Sequence, residues 1–122
     1  MKLGVVSDTH GLLRPEVSPA LRGVDRILHL GDVGDPEILS SLQQIAPVHA
    51  IRGNIDRSGP CSQLPETDVL LFEGCYLYLL HDLGALHLDP AAANFAAVLY
   101  GHSHKHHIAH RKGVHYFNPG SC

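Results

Sequence analysis

The sequence predicts an α/β fold. Three observations lead there. The first half alternates short β-branched or apolar runs with helix-like ones, in the order strand, helix, strand, helix, strand, the grammar of a parallel sheet. The second half is rich in strand-like runs broken by Glu73-Gly74 and Lys112-Gly113, both hairpin-like turns. Five of the expected strands also carry Asp, Asn or His at their carboxyl ends, where open α/β sheets build their sites.

The elements follow in order. Lys2 to Ser7 reads as a buried strand and Pro15 to Arg22 as a short helix. Arg26 to Leu30 is a second strand. Asp35-Pro36-Glu37 starts a helix well: an N-cap Asp, Pro in the first turn, then an acidic residue favoured by the dipole. Ile38, Leu39, Leu42 and Ile45 recur at helical spacing, through Ala46, as a core stripe. Pro47 ends that helix and Val48 to Ile51 is a third strand. Arg52 to Pro65, with Gly, Asn, Asp, Ser and two Pro, reads as a loop. Val69 to Phe72 and Tyr76 to Leu80 are strands around Glu73-Gly74. Asp89-Pro90 is expected to start a short Ala-rich helix, Ala97 to Tyr100 a strand, and His106 to Arg111 with His115 to Phe117 a final hairpin.

Composition narrows the class. The 122 residues suit one domain, 1–122, with 44% apolar and 17% charged residues, so a disordered chain is excluded. Net charge is −3, and Lys is scarce, which disfavours a nucleic-acid surface. No apolar stretch approaches the roughly 20 residues of a membrane helix. The apolar run after Lys2 is broken by Asp8 and His10 before a signal peptide could form. Cys61, Cys75 and Cys122 are odd in number and lack CxxC spacing, which fits a reducing cytoplasm better than a disulfide framework. Histidine is the outlier. There are 11 His against 9 Lys plus Arg, and the charge would be +8 with all of them protonated. Such a swing points to a pH-responsive protein or to imidazoles kept neutral for metal binding.

The strand ends decide between these. They carry Asp8-Thr9-His10, Gly31-Asp32, Gly53-Asn54-Ile55-Asp56, His81-Asp82 and Gly101-His102-Ser103-His104. Asp8 and His10 are two apart, as are His102 and His104; in extended backbone such pairs point the same way. Asp8, His10, Asp32, Asn54, His81, His102 and His104 offer four imidazoles, two carboxylates and one amide. Seven donors exceed the needs of one ion with an open position and suit two divalent ions sharing a carboxylate. Nitrogen and oxygen donors without thiolate favour manganese, with zinc, iron, nickel or cobalt as alternatives.

These blocks, in this order, resemble the calcineurin-like metallophosphoesterases, and among them the small bacterial and archaeal phosphodiesterase branch. Asn118-Pro119-Gly120-Ser121 is similar to that branch's late motif, so the resemblance runs from Val5 to Ser121. It implies a four-layer α/β/β/α sandwich. It also implies one metal on Asp8, His10, Asp32 and His104 and a second on Asp32, Asn54, His81 and His102, with Asp32 bridging. Asp32 and Asn54 would then be the catalytic residues. The implied reaction is hydrolysis of a phosphate ester, a phosphodiester first, by in-line attack of a metal-bridging hydroxide. The implied partner is a small phosphate-ester substrate, with a homodimer left open. Acid should expel metal as the ligand imidazoles protonate.

Several positions depart from the family pattern. Where many members carry a leaving-group His after the Asn, this chain has Ile55, which cannot donate a proton; His106 and Asp56 are the candidates to replace it. Asp82 stands where Gly is usual, and either hydrogen-bonds His81 or is exposed. Arg14, Arg57 and His106 are candidate substrate contacts beside Asn54. Members usually continue with another strand after the late motif, so a chain ending at Cys122 is either a minimal member or truncated. His29 and His49 sit mid-strand, as does His115, and are expected to be structural. Two other functions compete: a non-catalytic protein-interaction module on the same fold, and a metal buffer or pH sensor built on the His-rich stretch 102–115.

Overall fold

The computed structural model describes residues 2–121; Cys122, the third cysteine, lies outside them, as does Met1. Cys61 and Cys75 are free thiols, the first buried and the second exposed.

Two sheets form. The first holds β1 (Leu3–Val6), β2 (Arg26–His29) and β3 (Val48–Ala50), all parallel and in that order. They are linked by α1 (Val17–Ala20) and α2 (Pro36–Gln43). The second holds β4 (Thr67–Phe72), β5 (Cys75–Leu80), β6 (Phe95–Leu99), β7 (His107–Arg111) and β8 (Val114–Asn118), in the order β4-β5-β6-β8-β7. Here β5, β6 and β8 run parallel, and the edge strands β4 and β7 are antiparallel to their neighbours. This is the expected mixed α/β sandwich.

The period of two assigns each side chain a layer. Leu28 and Leu30 on one sheet meet Leu77, Leu79 and Leu99 on the other, forming the core between the sheets. Ile27 and Val6 point the other way and pack beneath Ile38 and Leu42 of α2, with Leu39 and Ile45 at the margin, so the predicted stripe is core. On the far side, Leu80, Val98, Tyr100 and Val114 are covered by Leu83, Leu86 and Ala91. That outer layer is thin: a 3-10 turn at Leu83–Ala85 and a turn over residues 90–94.

The Ala-rich helix expected from Asp89 does not form. Asp89 does cap, accepting from Ala91 N and Ala92 N. Only one turn follows, because Asn94 adopts a φ of 64° and directs the chain into β6. The expected Pro15–Arg22 helix shrinks to Val17–Ala20, with Pro19 inside it. α2 keeps its Asp35 cap, whose side chain accepts from Glu37 N, and ends at Gln43.

Candidate metal centre

The loops after the strands stay hydrogen-bonded to one another, so they arrive together. After β1, Asp8 N donates to Gly31 O and His10 N to Asp32 O, at 3.0 and 2.9 Å. After β5 and β6, Gly101 N donates to His81 O at 2.9 Å. Two glycines are required by close approach. A Cβ on Gly53 would collide with Asp32, and one on Gly101 would collide with Ser7 Oγ and Asp8.

Five of the seven proposed ligands, Asp8, His10, Asp32, His102 and His104, have positive φ between 50° and 74°. The pairs at i and i+2 are therefore not extended, as the spacing suggested. They converge because the chain turns left-handed at each member, a conformation costly for residues with a Cβ and concentrated at functional sites.

All seven side chains meet. Asp8 is fully buried, and its Oδ2 accepts from Ser7 Oγ at 2.6 Å and His102 N at 3.1 Å. Its Oδ1 has no hydrogen-bond partner. That oxygen is ringed by Nε2 of His104 at 3.4 Å and of His10 and His81 at 3.7 Å. Asp32 Oδ1 accepts from Ile55 N at 3.0 Å, and its Oδ2 lies 3.2 Å from His81 Nε2 and 3.4 Å from His10 Nε2. His81 donates from Nδ1 to Leu30 O at 2.7 Å, which leaves the Nε2 lone pair facing the centre. Asn54 Oδ1 lies 3.0 Å from that nitrogen and 3.2 Å from His102 Nδ1.

The donor set fits divalent cations. One ligand atom each from Asp8, His10, Asp32 and His104 lie within 4.8 Å of one another. A buried carboxylate oxygen without a donor is costly, and a cation among these atoms removes that cost. The Asn54 amide reaches the same cluster, within 3.0–3.3 Å of His81 Nε2, His102 Nδ1 and both Asp32 carboxylate oxygens.

A model of the calcineurin-like phosphoesterase superfamily domain matches residues 1–122. The chain belongs to this family. It is 32% identical over 133 residues to a probable metallophosphoesterase of Methanothermobacter thermautotrophicus, spanning 99% of this chain and 77% of that one. Among solved structures it is similar to Yfce, a phosphoesterase from E. coli, with a TM-score of 0.72, 26% identity, and coverage of 99% and 80%. It is also similar to Vps29 from Entamoeba histolytica complexed with zinc, with a TM-score of 0.80, 26% identity, and coverage of 99% and 74%.

Against this calcineurin-like frame, the remaining candidates separate. Asp56 is buried and accepts from Val33 N, Gly34 N and Gly53 N at 3.1, 3.1 and 2.9 Å. It is a brace between two ligand loops, not a proton donor. Asp82 is exposed and caps Gly84 N at 2.9 Å, so it does not hold His81. Arg57 is exposed and donates from Nε to Asn54 O at 2.8 Å. Arg14 is exposed and pairs with no described side chain, while the exposed His106 ring packs edge-on to Phe117 at 6.3 Å. His29 is structural, as expected: Gly31 N donates to its Nδ1, and its Nε2 donates to Thr9 Oγ1, which donates on to Val33 O. Burial pushes this imidazole down to about 4, against the opposing pull of Asp56 and Asp8. Asn118 donates to Gly101 O and Ser103 Oγ, both at 3.1 Å, bracing the loop of His102 and His104. The roles of Asp56, Ser7 and Thr9 had no signal in the sequence, because each acts through partners distant in the chain or through burial.

Among the described residues, no helix is long and apolar enough to cross a membrane.

Proposed function

We propose that this chain is a phosphoesterase that uses two divalent ions, manganese first, to hydrolyse phosphodiesters. The observation that carries this reading is the buried, unpartnered Asp8 Oδ1 at the centre of seven convergent donors. One ion would be held by Asp8, His10, Asp32 and His104, the other by Asp32, Asn54, His81 and His102. Bound there, such ions supply Lewis acidity that activates water and neutralises phosphate charge.

The chain's own groups do the rest. The Leu30 carbonyl fixes the tautomer of His81, and Ile55 N holds one oxygen of Asp32, leaving the other directed at the imidazoles. Asn54 is positioned by Arg57 gripping its carbonyl, which leaves the terminal nitrogens of Arg57 for a phosphate oxygen. In the net reaction a water oxygen bonds phosphorus, the bond from phosphorus to one ester oxygen breaks, and the departing oxygen takes a proton. Ile55 offers only its backbone, already engaged, so that proton comes from solvent or from His106. Leaving groups of low basicity are therefore favoured. Free thiols at Cys61 and Cys75 suit a reducing, cytoplasmic setting.

The test is hydrolysis of bis-p-nitrophenyl phosphate by manganese-loaded protein, with metal analysis alongside. Two ions per chain and turnover abolished by Asp32→Ala or His104→Ala are expected. Turnover indifferent to both substitutions overturns the reading. A second reading, an interaction module on this fold, is favoured by the similarity to Vps29. It expects metal to bind and no diester to be hydrolysed.

A further inference from the structure

The donor cluster opens on one side into a cleft of about 440 Å³, lined there by Asn54, His81 and His102. This is within the range of small-molecule sites, roughly 300–1,000 Å³. The facing wall is apolar. Tyr78 and Leu80 are two apart on β5 and point to the same side, and Ala85 and Leu88 come from the 3-10 turn and the loop behind it. Phe95 backs the Tyr78 ring at 5.2 Å between centroids and so supports that wall. Leu88 remains 38% exposed at the mouth.

The charges at the cleft are already committed. Arg52 binds Glu66 Oε1 at 2.6 Å and Ser62 O at 3.1 Å. Asp82 caps its own turn. Apart from the donor imidazoles, the remaining basic side chain is His87. A second phosphate or a carboxylate would meet two carboxylates and no unpaired guanidinium or ammonium. An uncharged ring would meet Tyr78, Leu80, Ala85 and Leu88, and its burial there is favourable at about 25 cal/mol per Å² of apolar surface.

We infer that this cleft receives one ester arm of the substrate and selects an uncharged, planar apolar group. The inference rests on the phosphoesterase reading. It narrows the substrate to a phosphodiester with at least one ring-bearing arm, and away from polyphosphates and carboxylated esters.

The test uses methyl, phenyl and 4-carboxyphenyl methylphosphonate, which differ only in that arm, the first two monoanions and the third a dianion, with phosphorus spectra confirming that each ester stays intact during the measurement. Affinity is read from amide chemical shifts in metal-loaded protein and from inhibition of bis-p-nitrophenyl phosphate hydrolysis. The phenyl ester is expected to bind at least tenfold more tightly than the methyl ester, with the largest shifts at Ala85 and Leu88. The carboxylate is expected to erase that advantage. Ala85→Trp, which fills the cleft, and Leu88→Asp, which charges its mouth, should each bring the phenyl ester to the methyl level and leave the methyl ester unchanged. Both residues are surface-accessible, and neither is a proposed metal donor. Equal affinity of the phenyl and methyl esters in the parent protein overturns the inference. So does a phenyl advantage that survives both substitutions. A protein that hydrolyses nothing, yet shows the phenyl advantage and loses it in both variants, keeps the cleft and sinks the phosphoesterase reading.

Discussion

His81 and His110 are the same residue type in very different situations. His81 ends a buried strand, its Nδ1 is tied to Leu30 O at 2.7 Å, and its free nitrogen faces Asp32. His110 lies on the edge strand β7, exposed, with its ring stacked on His115 across the hairpin at 4.4 Å and 20°. No described hydrogen bond orients it. The difference teaches that an imidazole becomes a ligand through what holds its other nitrogen and its backbone, not through the abundance of His nearby. His10, His102 and His104 are brought in by their left-handed backbone turns instead, at φ of 50°, 74° and 63°.

The largest effect should come from the anchored side. Asp8→Asn replaces the buried carboxylate with a neutral amide, and metal analysis should find the ion assigned to Asp8, His10, Asp32 and His104 lost. Retention of both would remove the distinction between the two regions. Asp56→Ala leaves the N–H groups of Val33, Gly34 and Gly53 without an acceptor, the first and last of them buried. Chemical denaturation should show a loss of about 3 kcal/mol, with metal affinity falling because two ligand loops lose their common anchor.

His29 gives a pH signature of the same bracing. Burial holds its imidazole at about 4 when folded, against the ordinary 6.5 of the unfolded chain. Below pH 6.5 the unfolded chain binds the extra proton, so stability falls as pH drops and levels off once the folded form also protonates. The contribution is about 3 kcal/mol at full extent. His29→Gln should remove that part of the pH dependence between 6.5 and 4; an unchanged profile would mean His29 is not held neutral by its surroundings.

Gly53→Ala presses a methyl against Asp32, and isothermal titration should show metal affinity reduced by about 10–100-fold, as for lost support of a ligand. The smallest effect belongs to the unanchored side. Paired His110→Ala and His115→Ala should leave the metal content unchanged and stability within about 0.5 kcal/mol. Loss of an ion in that variant would make the hairpin a metal site and break the comparison.

Much of this was legible in the sequence because small residues sit beside the ligands. Gly31-Asp32, Gly53-Asn54 and Gly101-His102 marked strand ends where side chains converge. The α2 stripe was legible for the same local reason, a periodicity contained within one element. What escaped was set by distant partners. Asp56 looked like a candidate acid until its three backbone donors were in place. The left-handed turns at Asp8 and His10 follow from bonds to Gly31 and Asp32, over 20 residues away. The Ala-rich stretch after Asp89 has good local helix propensity, and closure of the chain into β6 overrode it. The apolar cleft needed β5 and the loop after it to face each other, which no spacing announces.

Asp8 binds the amide of His102, 94 positions later, and its carbonyl accepts from Ser121 Oγ, 113 positions later. The centre is thus closed by segments more than 90 positions apart. During synthesis the first sheet can form as its strands leave the ribosome, but the donor set stays incomplete until the final hairpin emerges. Non-local closure of this kind is slow relative to helix or hairpin formation. Capture of metal by the full donor set therefore waits for this segment, and a nascent chain halted before β8 would hold Asp8 and Asp32 close together without the imidazoles of His102 and His104 in place to share their charge.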